Sequence, residues 1–409
     1  MDPRHILNVA DARRRAARAL PRVVFDFIDG AADDELTQSE NRAAFSDVAF
    51  RPRVGVDVST IVVSTEVLGT PVAMPLLLAP CGLGNLIHPD GAIGAARAAS
   101  ARGTIYVLST AAGSTPTEVA MASPGPTWFQ LYSFGGRAAG DRLVDEAQAN
   151  GFGALVVTLD TPVVGNRDRD ARHGVGTPGR MDLRHQFPLG LQLLARPRWS
   201  VRLGAEGIRT TRTQFGPGVA PGDSGQATAS NGQPVMASPF TWDDVAWLRT
   251  KWSGPLVVKG VLVGEDAKRA VDVGCDGIIV SNHGGRQLDG TPATLRALPE
   301  VVDAVSGYAE VLLDGGVRRG QDIAKALALG AKAVLIGRPY LYGLAAAGQG
   351  GVERILDVFR VDFIRTLALL GCPRAADLGP EWVQPLREPF ALAAEETVVR
   401  PGSRNAEPR

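Results

Sequence analysis

The sequence predicts an α/β protein: a TIM-type (β/α)8 barrel with a helical segment before it and a long insertion after its fourth strand. Three observations predict this. About eight short apolar runs alternate with helix-like stretches, seven of those runs end in polar residues, and glycine-arginine loops follow the last two.

The runs, in order, are PLLLAP (Pro75 to Pro80), TIYVLS (Thr104 to Ser109), TWFQLY (Thr127 to Tyr132) and ALVVTLD (Ala154 to Asp160). After an interruption come LVVKG (Leu256 to Gly260), GIIVSN (Gly277 to Asn282), EVLLDGG (Glu310 to Gly316) and AVLIGR (Ala333 to Arg338). Each but the fourth leads promptly into an Ala-, Arg- and Glu-rich helical pattern. Near-continuous apolar strands alternating with helices imply a parallel sheet covered on both faces, and about eight such units close a barrel. A doubly wound open sheet is the alternative, but no GxGxxG follows the first run. Residues 1–55 read as a helical segment, 56–388 as the barrel, 169–240 as a mobile lid and 389–409 as a polar tail. The lid reading rests on length and on GPGVAPGDSGQATASNGQPVMASP; an ornamental insertion is the plainer alternative.

Composition narrows the function. With 45% apolar and 21% charged residues, the 409-residue chain is able to bury a full core. Lys+Arg and Asp+Glu both number 43, so nothing in the net charge points to nucleic acid or an anionic membrane. The three cysteines, Cys81, Cys275 and Cys372, match no metal or redox spacing, and no metal site is expected. The N-terminus lacks the apolar core of a signal peptide, and no apolar run approaches the ~20 residues that span a bilayer. The expectation is a cytoplasmic protein without an integral membrane segment.

Polar residues close the strands: Ser109, Gln130 and Tyr132, Thr158 and Asp160, Lys259, Ser281 and His283, Asp314, and Arg338. In (β/α)8 barrels the chemistry sits at that end. The strongest local signal is SNHGGRQLDG, Ser281 to Gly290. A histidine beside a Gly-Gly turn is suited to take a proton near neutral pH, and Arg286 three residues on is suited to hold a carboxylate bidentately. Alone, His283 reads more readily as structural; the turn and the arginine reverse that. The second signal is LLDGGVRRG (Leu312 to Gly320) with LIGRP (Leu335 to Pro339). Glycine N–H groups and Arg318, Arg319 and Arg338 at the ends of strands seven and eight match the phosphate site of such barrels. A solvated basic turn is the plainer reading.

These motifs resemble the FMN-dependent α-hydroxy-acid oxidase and dehydrogenase family, which includes glycolate oxidase, lactate oxidase, L-lactate dehydrogenase and mandelate dehydrogenase. The likeness extends to FDFIDGAADDELTQSENRAAF, LAPCGLGNLIHPDG, WFQLY, TLDTP and VVKG, and runs from about Leu20 to Leu378. It implies bound FMN and oxidation of an L-2-hydroxy acid to a 2-keto acid, with oxygen or another electron acceptor and a homotetrameric assembly. It further implies His283 as the base and Asp160 as its orienting carboxylate. Arg286 would bind the substrate carboxylate, with Arg167 as a mobile second partner, and Tyr132 would donate its hydroxyl. Lys259 would sit beside the flavin. Ser109, Gln130, Thr158, Ser281 and the main chain at Pro80, Cys81 and Gly82 would hold the ring. Asp314, Gly315, Gly316, Arg318, Gly337 and Arg338 would hold the ribityl phosphate.

Two positions depart from the family pattern. Phe27 stands where most members carry a tyrosine, and Ala111 stands where glycolate-oxidase-like members carry a bulky aromatic. Both favour a larger or aromatic substrate side chain. LLARPRW and LLGCPRAADLGPEWV instead resemble the L-lactate dehydrogenase branch and the flavoenzymes of mycofactocin maturation, which modify a peptide-derived precursor. The retained Arg286-Gln287 pair favours a carboxylate substrate over the latter. Outside the family, a phosphate-binding barrel lyase or isomerase with Lys259 as Schiff-base nucleophile is the competing class; a non-catalytic flavin-binding module is the third.

Overall fold

The computed structural model describes residues 2–132, 136–173, 190–202 and 240–386, together with the backbone of two short paired strands, Gln226–Thr228 and Pro234–Met236. All eight expected strands are present: β1 (Leu76–Leu78), β2 (Tyr106–Ser109), β3 (Thr127–Leu131), β4 (Leu155–Thr158), β5 (Leu256–Val261), β6 (Gly277–Val280), β7 (Glu310–Leu313) and β8 (Ala333–Ile336). They pair in parallel, in sequence order, into a closed barrel. Register places Ser109 beside Gln130 and Lys259 beside Thr158, so polar side chains from different strands share one layer at the C-terminal rim.

Two apolar cores result. Inside the barrel, Leu77, Val107, Trp128, Val156, Val257, Ile279, Leu312 and Leu335 pack together. Val67 and Val72 join them from a hairpin (Thr65–Val67 with Thr70–Val72) that plugs the end opposite the polar rim. Burying each of these valines contributes about 1.5–3 kcal/mol. The Leu68 N–H donates to Glu310 Oε2 at the first residue of β7, which anchors the plug. The outer core packs the surrounding helices on the strands' other faces.

The expected helical segment is helical over α1 (Val9–Ala19), α2 (Arg22–Asp29) and α3 (Leu36–Ala43). Asn8 caps α1, its side chain accepting the Asp11 N–H. The segment does not stay helical to residue 55: Val48–Phe50 is a strand, antiparallel to Val383–Pro385. A three-residue strand has no periodicity of its own, and its partner lies at the far end of the described chain. The helix after β8, Arg338–Leu370, is broken at Gly348, where φ is +61° and the Asp90 carboxylate accepts the next N–H at 2.7 Å. The expected lid over 169–240 lies mostly, and the expected tail over 389–409 wholly, outside the described residues. The described stretch 190–202 is seated on the loop after β1, Trp199 Nε1 donating to the Leu86 carbonyl at 3.0 Å. Among the described residues, no helix is long and apolar enough to cross a membrane.

Candidate active site

His283 leaves the end of β6 in a left-handed backbone conformation, φ +57°, followed by Gly284 at +66° and Gly285 at +77°. Such a φ is uncommon for a side-chain-bearing residue and costs about 1–3 kcal/mol, so the surroundings must impose it. The glycines are required by space as well: a Cβ on Gly284 would lie 2.8 Å from Arg338 Nη1, and one on Gly285 2.7 Å from the Gln38 nitrogen. Asn282 pins the turn through a reciprocal amide pair with Asn41 of α3, at 2.8 and 2.9 Å. The His283 N–H donates to Ser281 Oγ at 3.1 Å.

The imidazole that results is held at both nitrogens. Nδ1 lies 3.0 and 3.2 Å from the two oxygens of Asp160, just beyond β4, and Nε2 lies 3.2 Å from the Tyr132 hydroxyl. With Nδ1–H donating to the carboxylate, Nε2 carries the lone pair. Burial pushes the His283 pKa down, while the Asp160 charge pulls the other way without reversing it. Burial alone would raise Asp160, but His283 and Lys259 outweigh it and hold the carboxyl below its usual range. The Tyr132 phenol is raised, by burial first and then by Asp160, and stays a neutral donor. Lys259 Nζ donates to Ser281 Oγ at 2.8 Å and lies 3.4 Å from Asp314 Oδ2. Burial would lower its pKa, yet Asp314 and Asp160 raise it overall. A lysine kept cationic in this way is poorly suited to act as a Schiff-base nucleophile.

Arg286 is positioned by a device the sequence does not announce. Its Nη1 donates to the carbonyls of Phe27 (2.8 Å) and Gly30 (2.9 Å). Arg338 donates to Ile28 (3.2 Å), Gly30 (2.7 Å) and Gly284 (2.8 Å). The C-terminal end of α2 therefore receives both guanidiniums on carbonyls that lack helical partners, at the negative end of its dipole. The Arg286 and Arg167 guanidiniums stand 5.1 and 5.7 Å from the Phe27 ring centre. Burial, and then the charges of Arg167 and Arg338, push Arg286 down to about 9. Three neighbouring cations with this little solvent favour an incoming anion.

These groups open on one cavity, lined among others by Phe27, Pro80, Cys81, Gly82, Tyr132, Lys259, His283, Arg286, Asp314, Gly315, Gly316, Arg318, Gly337 and Arg338. Asp160 stands behind His283, and Ser109, Gln130 and Thr158 form a buried chain under the cavity: Ser109 Oγ donates to Gln130 Oε1 (2.8 Å) and Gln130 Nε2 to Thr158 Oγ1 (3.0 Å). Arg167 reaches Phe27 from outside the lining, its Nε 3.4 Å from Asp170. Ala111, expected to touch substrate, is absent from the lining: a Cβ placed on Gly82 would meet its methyl at 3.3 Å, so a side chain this short stops against Gly82. Ile28, Gly284, Pro339 and Leu341 also line the cavity, supplied by the end of α2, the His283 turn and the last helix.

The model of the FMN-dependent dehydrogenase family matches residues 16–385. This chain belongs to the FMN-dependent dehydrogenase family. It is 42% identical over 375 residues to a peroxisomal (S)-2-hydroxyacid oxidase of Arabidopsis thaliana, covering 91% of this chain and 95% of that one. It is 44% identical over 378 residues to the L-lactate oxidase of a Nostoc species, covering 91% and 96%. Among solved structures it is similar to a monotopic membrane (S)-mandelate dehydrogenase, with a TM-score of 0.84, 38% identity and coverage of 93% of this chain and all of that one. The protein is accordingly an FMN-dependent enzyme acting on a CH–OH group.

The cavity suits the family's cofactor. The buried Asp314 Oδ1 has no partner within the protein, as expected of an acceptor reserved for a ligand hydroxyl. Gly315 and Gly316 have φ of +94° and +82°, and a Cβ on Gly316 would lie 1.9 Å from the Asn41 carbonyl, so the loop tolerates only bare backbone. Arg318 and Arg338 supply the cations a phosphate requires.

Proposed function

We propose that this enzyme oxidises an L-2-hydroxy acid with a bulky or aromatic side chain to the corresponding 2-keto acid. The observation that carries the reaction is the Tyr132–His283–Asp160 chain beside Arg286. Arg286 has donors left beyond the two carbonyls it holds, and these bind the substrate carboxylate, with Arg167 closing from the far side of Phe27. His283 takes a proton from the substrate at Nε2. Asp160, ionised and fixed at Nδ1, stabilises the imidazolium. Tyr132 donates its hydroxyl towards the substrate. Lys259 keeps a permanent cation at the cavity wall, opposite the negative charge that reduction creates. Bound FMN supplies the two-electron acceptor. Asp314, Gly315, Gly316, Arg318, Gly337 and Arg338 hold its ribityl phosphate, and Pro80 to Gly82 with the Ser109–Gln130–Thr158 chain support its ring.

The substrate preference rests on Phe27 and Ala111. Phe27 lines the cavity without a hydroxyl to offer, and a small acid so loses one hydrogen bond to its carboxylate, about 1.5–3 kcal/mol. The alanine at 111 stops against Gly82, which lines the cavity, and adds no bulk of its own there. The similarity to an (S)-mandelate dehydrogenase structure supports the same reading. The test is anaerobic flavin bleaching with mandelate-type, long-chain and glycolate substrates. Aromatic or long-chain acids are expected to be faster than glycolate, and Phe27→Tyr to raise glycolate kcat/KM by about tenfold or more. A wild-type preference for glycolate overturns the assignment.

A further inference from the structure

The turn that carries the flavin phosphate site has a second face. On its outer side, Gly316 and Arg318 border a groove into which Arg42 of α3, Arg319 and Lys325 also project. Among the described residues, none of Arg42, Arg318 and Arg319 forms an ion pair with a carboxylate. Lys325 is largely buried, its ammonium held by the Phe45 carbonyl at 2.7 Å and over the Phe50 ring. The one acid in the groove, Asp322, is occupied: its Oδ2 accepts the backbone N–H groups of Arg318 (2.8 Å) and Arg319 (2.9 Å). Among the described residues the Arg318 guanidinium hydrogen-bonds only the Val317 carbonyl, beside it in sequence, and Arg318 lines both cavities. Four cations therefore converge around a concave surface that holds a single carboxylate, Asp322. Four like charges against one counter-ion repel one another and are held at a cost unless a further anion joins them.

We infer that this groove is a second oxyanion site, which binds a free phosphate-type anion while the cofactor's phosphate occupies the inner face of the same Gly316–Arg318 turn. The inference rests on the flavin reading of the inner cavity. Arg318 serves both faces, so the outer anion would complete a guanidinium that the cofactor uses only in part. Burial foremost, with Arg338 and Arg42 adding to it, lowers Arg318 to about 10, in keeping with a cation short of counter-charge.

The test is calorimetric titration of the yellow holoenzyme with inorganic phosphate and with pyrophosphate at constant ionic strength. One saturable site per chain is expected, with the flavin spectrum showing FMN still bound. Arg42→Ala and Arg319→Ala, both at exposed side chains, are each expected to weaken phosphate about tenfold or more, while Arg42→Lys retains most of the affinity. No saturable binding to holoenzyme, an affinity unchanged in both alanine variants, or phosphate that binds only FMN-free protein and is displaced by FMN would each overturn the inference. A protein that refuses FMN altogether refutes the cofactor reading instead, so the two failures are distinguishable.

Discussion

The two ends of the cavity are built differently. At the end where protons move, side chains from separate strand ends hold one another: Tyr132, Asp160 and His283 lie just beyond β3, β4 and β6, Lys259 lies in β5, and they meet through side-chain contacts of 2.8–3.4 Å with Ser281 and Asp314. At the phosphate end, glycine backbone and guanidiniums do the holding, with Gly315, Gly316 and Gly337 leaving room and Arg318 and Arg338 bringing charge. The difference follows from the ligand chemistry. A phosphate keeps its charge through the reaction, so fixed N–H groups and permanent cations suffice. A proton acceptor must change charge, so its site needs a titratable ring between a carboxylate that steadies one state and a cation that limits it.

Three substitutions break or sharpen that contrast, in falling order of effect. His283→Ala strikes the proton end, and flavin reduction should slow on the order of 10²–10⁴-fold with FMN still bound. Rapid anaerobic mixing measures it, and near-normal reduction would contradict the role. Arg318→Ala strikes the phosphate end. FMN affinity should fall about 10–100-fold while kcat at saturating FMN stays within about twofold, as read by fluorescence titration and steady-state rates. Tyr342→Phe tests the support behind both ends. Tyr342 donates to the buried Asp29 at 2.7 Å, and Asp29 terminates the helix whose carbonyls hold Arg286 and Arg338. The expected loss is about 1.5 kcal/mol in urea unfolding, with only a few-fold rise in substrate KM.

The barrel was legible because its strands are unusually plain: LLL, YVLS, LVVT and AVLI are continuous apolar runs that only a doubly covered sheet demands. The site was legible where chemistry compels a residue type, as with the Gly-Gly turn that follows a histidine at φ +57°. It was not legible where the partner is a backbone carbonyl. Nothing in FDFIDG marks Phe27, Ile28 and Gly30 as acceptors for arginines more than 250 positions away, because every residue has a carbonyl. The Asn41–Asn282 pair escaped for a related reason: an amide carries no signature until its partner is known. The Thr65–Val72 plug and the Val48–Phe50 strand are too short for a period to show. Ala111 carries no signature of its own, because an alanine's influence is the space it leaves, and that space is bounded by Gly82.

The central claim is that a neutral His283 takes the proton and Asp160 holds the charge that results. The pH dependence of kcat/KM in wild type and in Asp160→Asn tests it most directly. The free enzyme must present an unprotonated ring, so kcat/KM falls as pH drops through the His283 pKa, which burial keeps below its ordinary 6.5. Asp160 raises that pKa, and its neutralisation removes the raising influence. The acid limb should therefore move to lower pH in the variant, and plateau kcat should fall roughly tenfold or more as the imidazolium loses its counter-charge. A limb that stays in place or moves to higher pH would contradict the account.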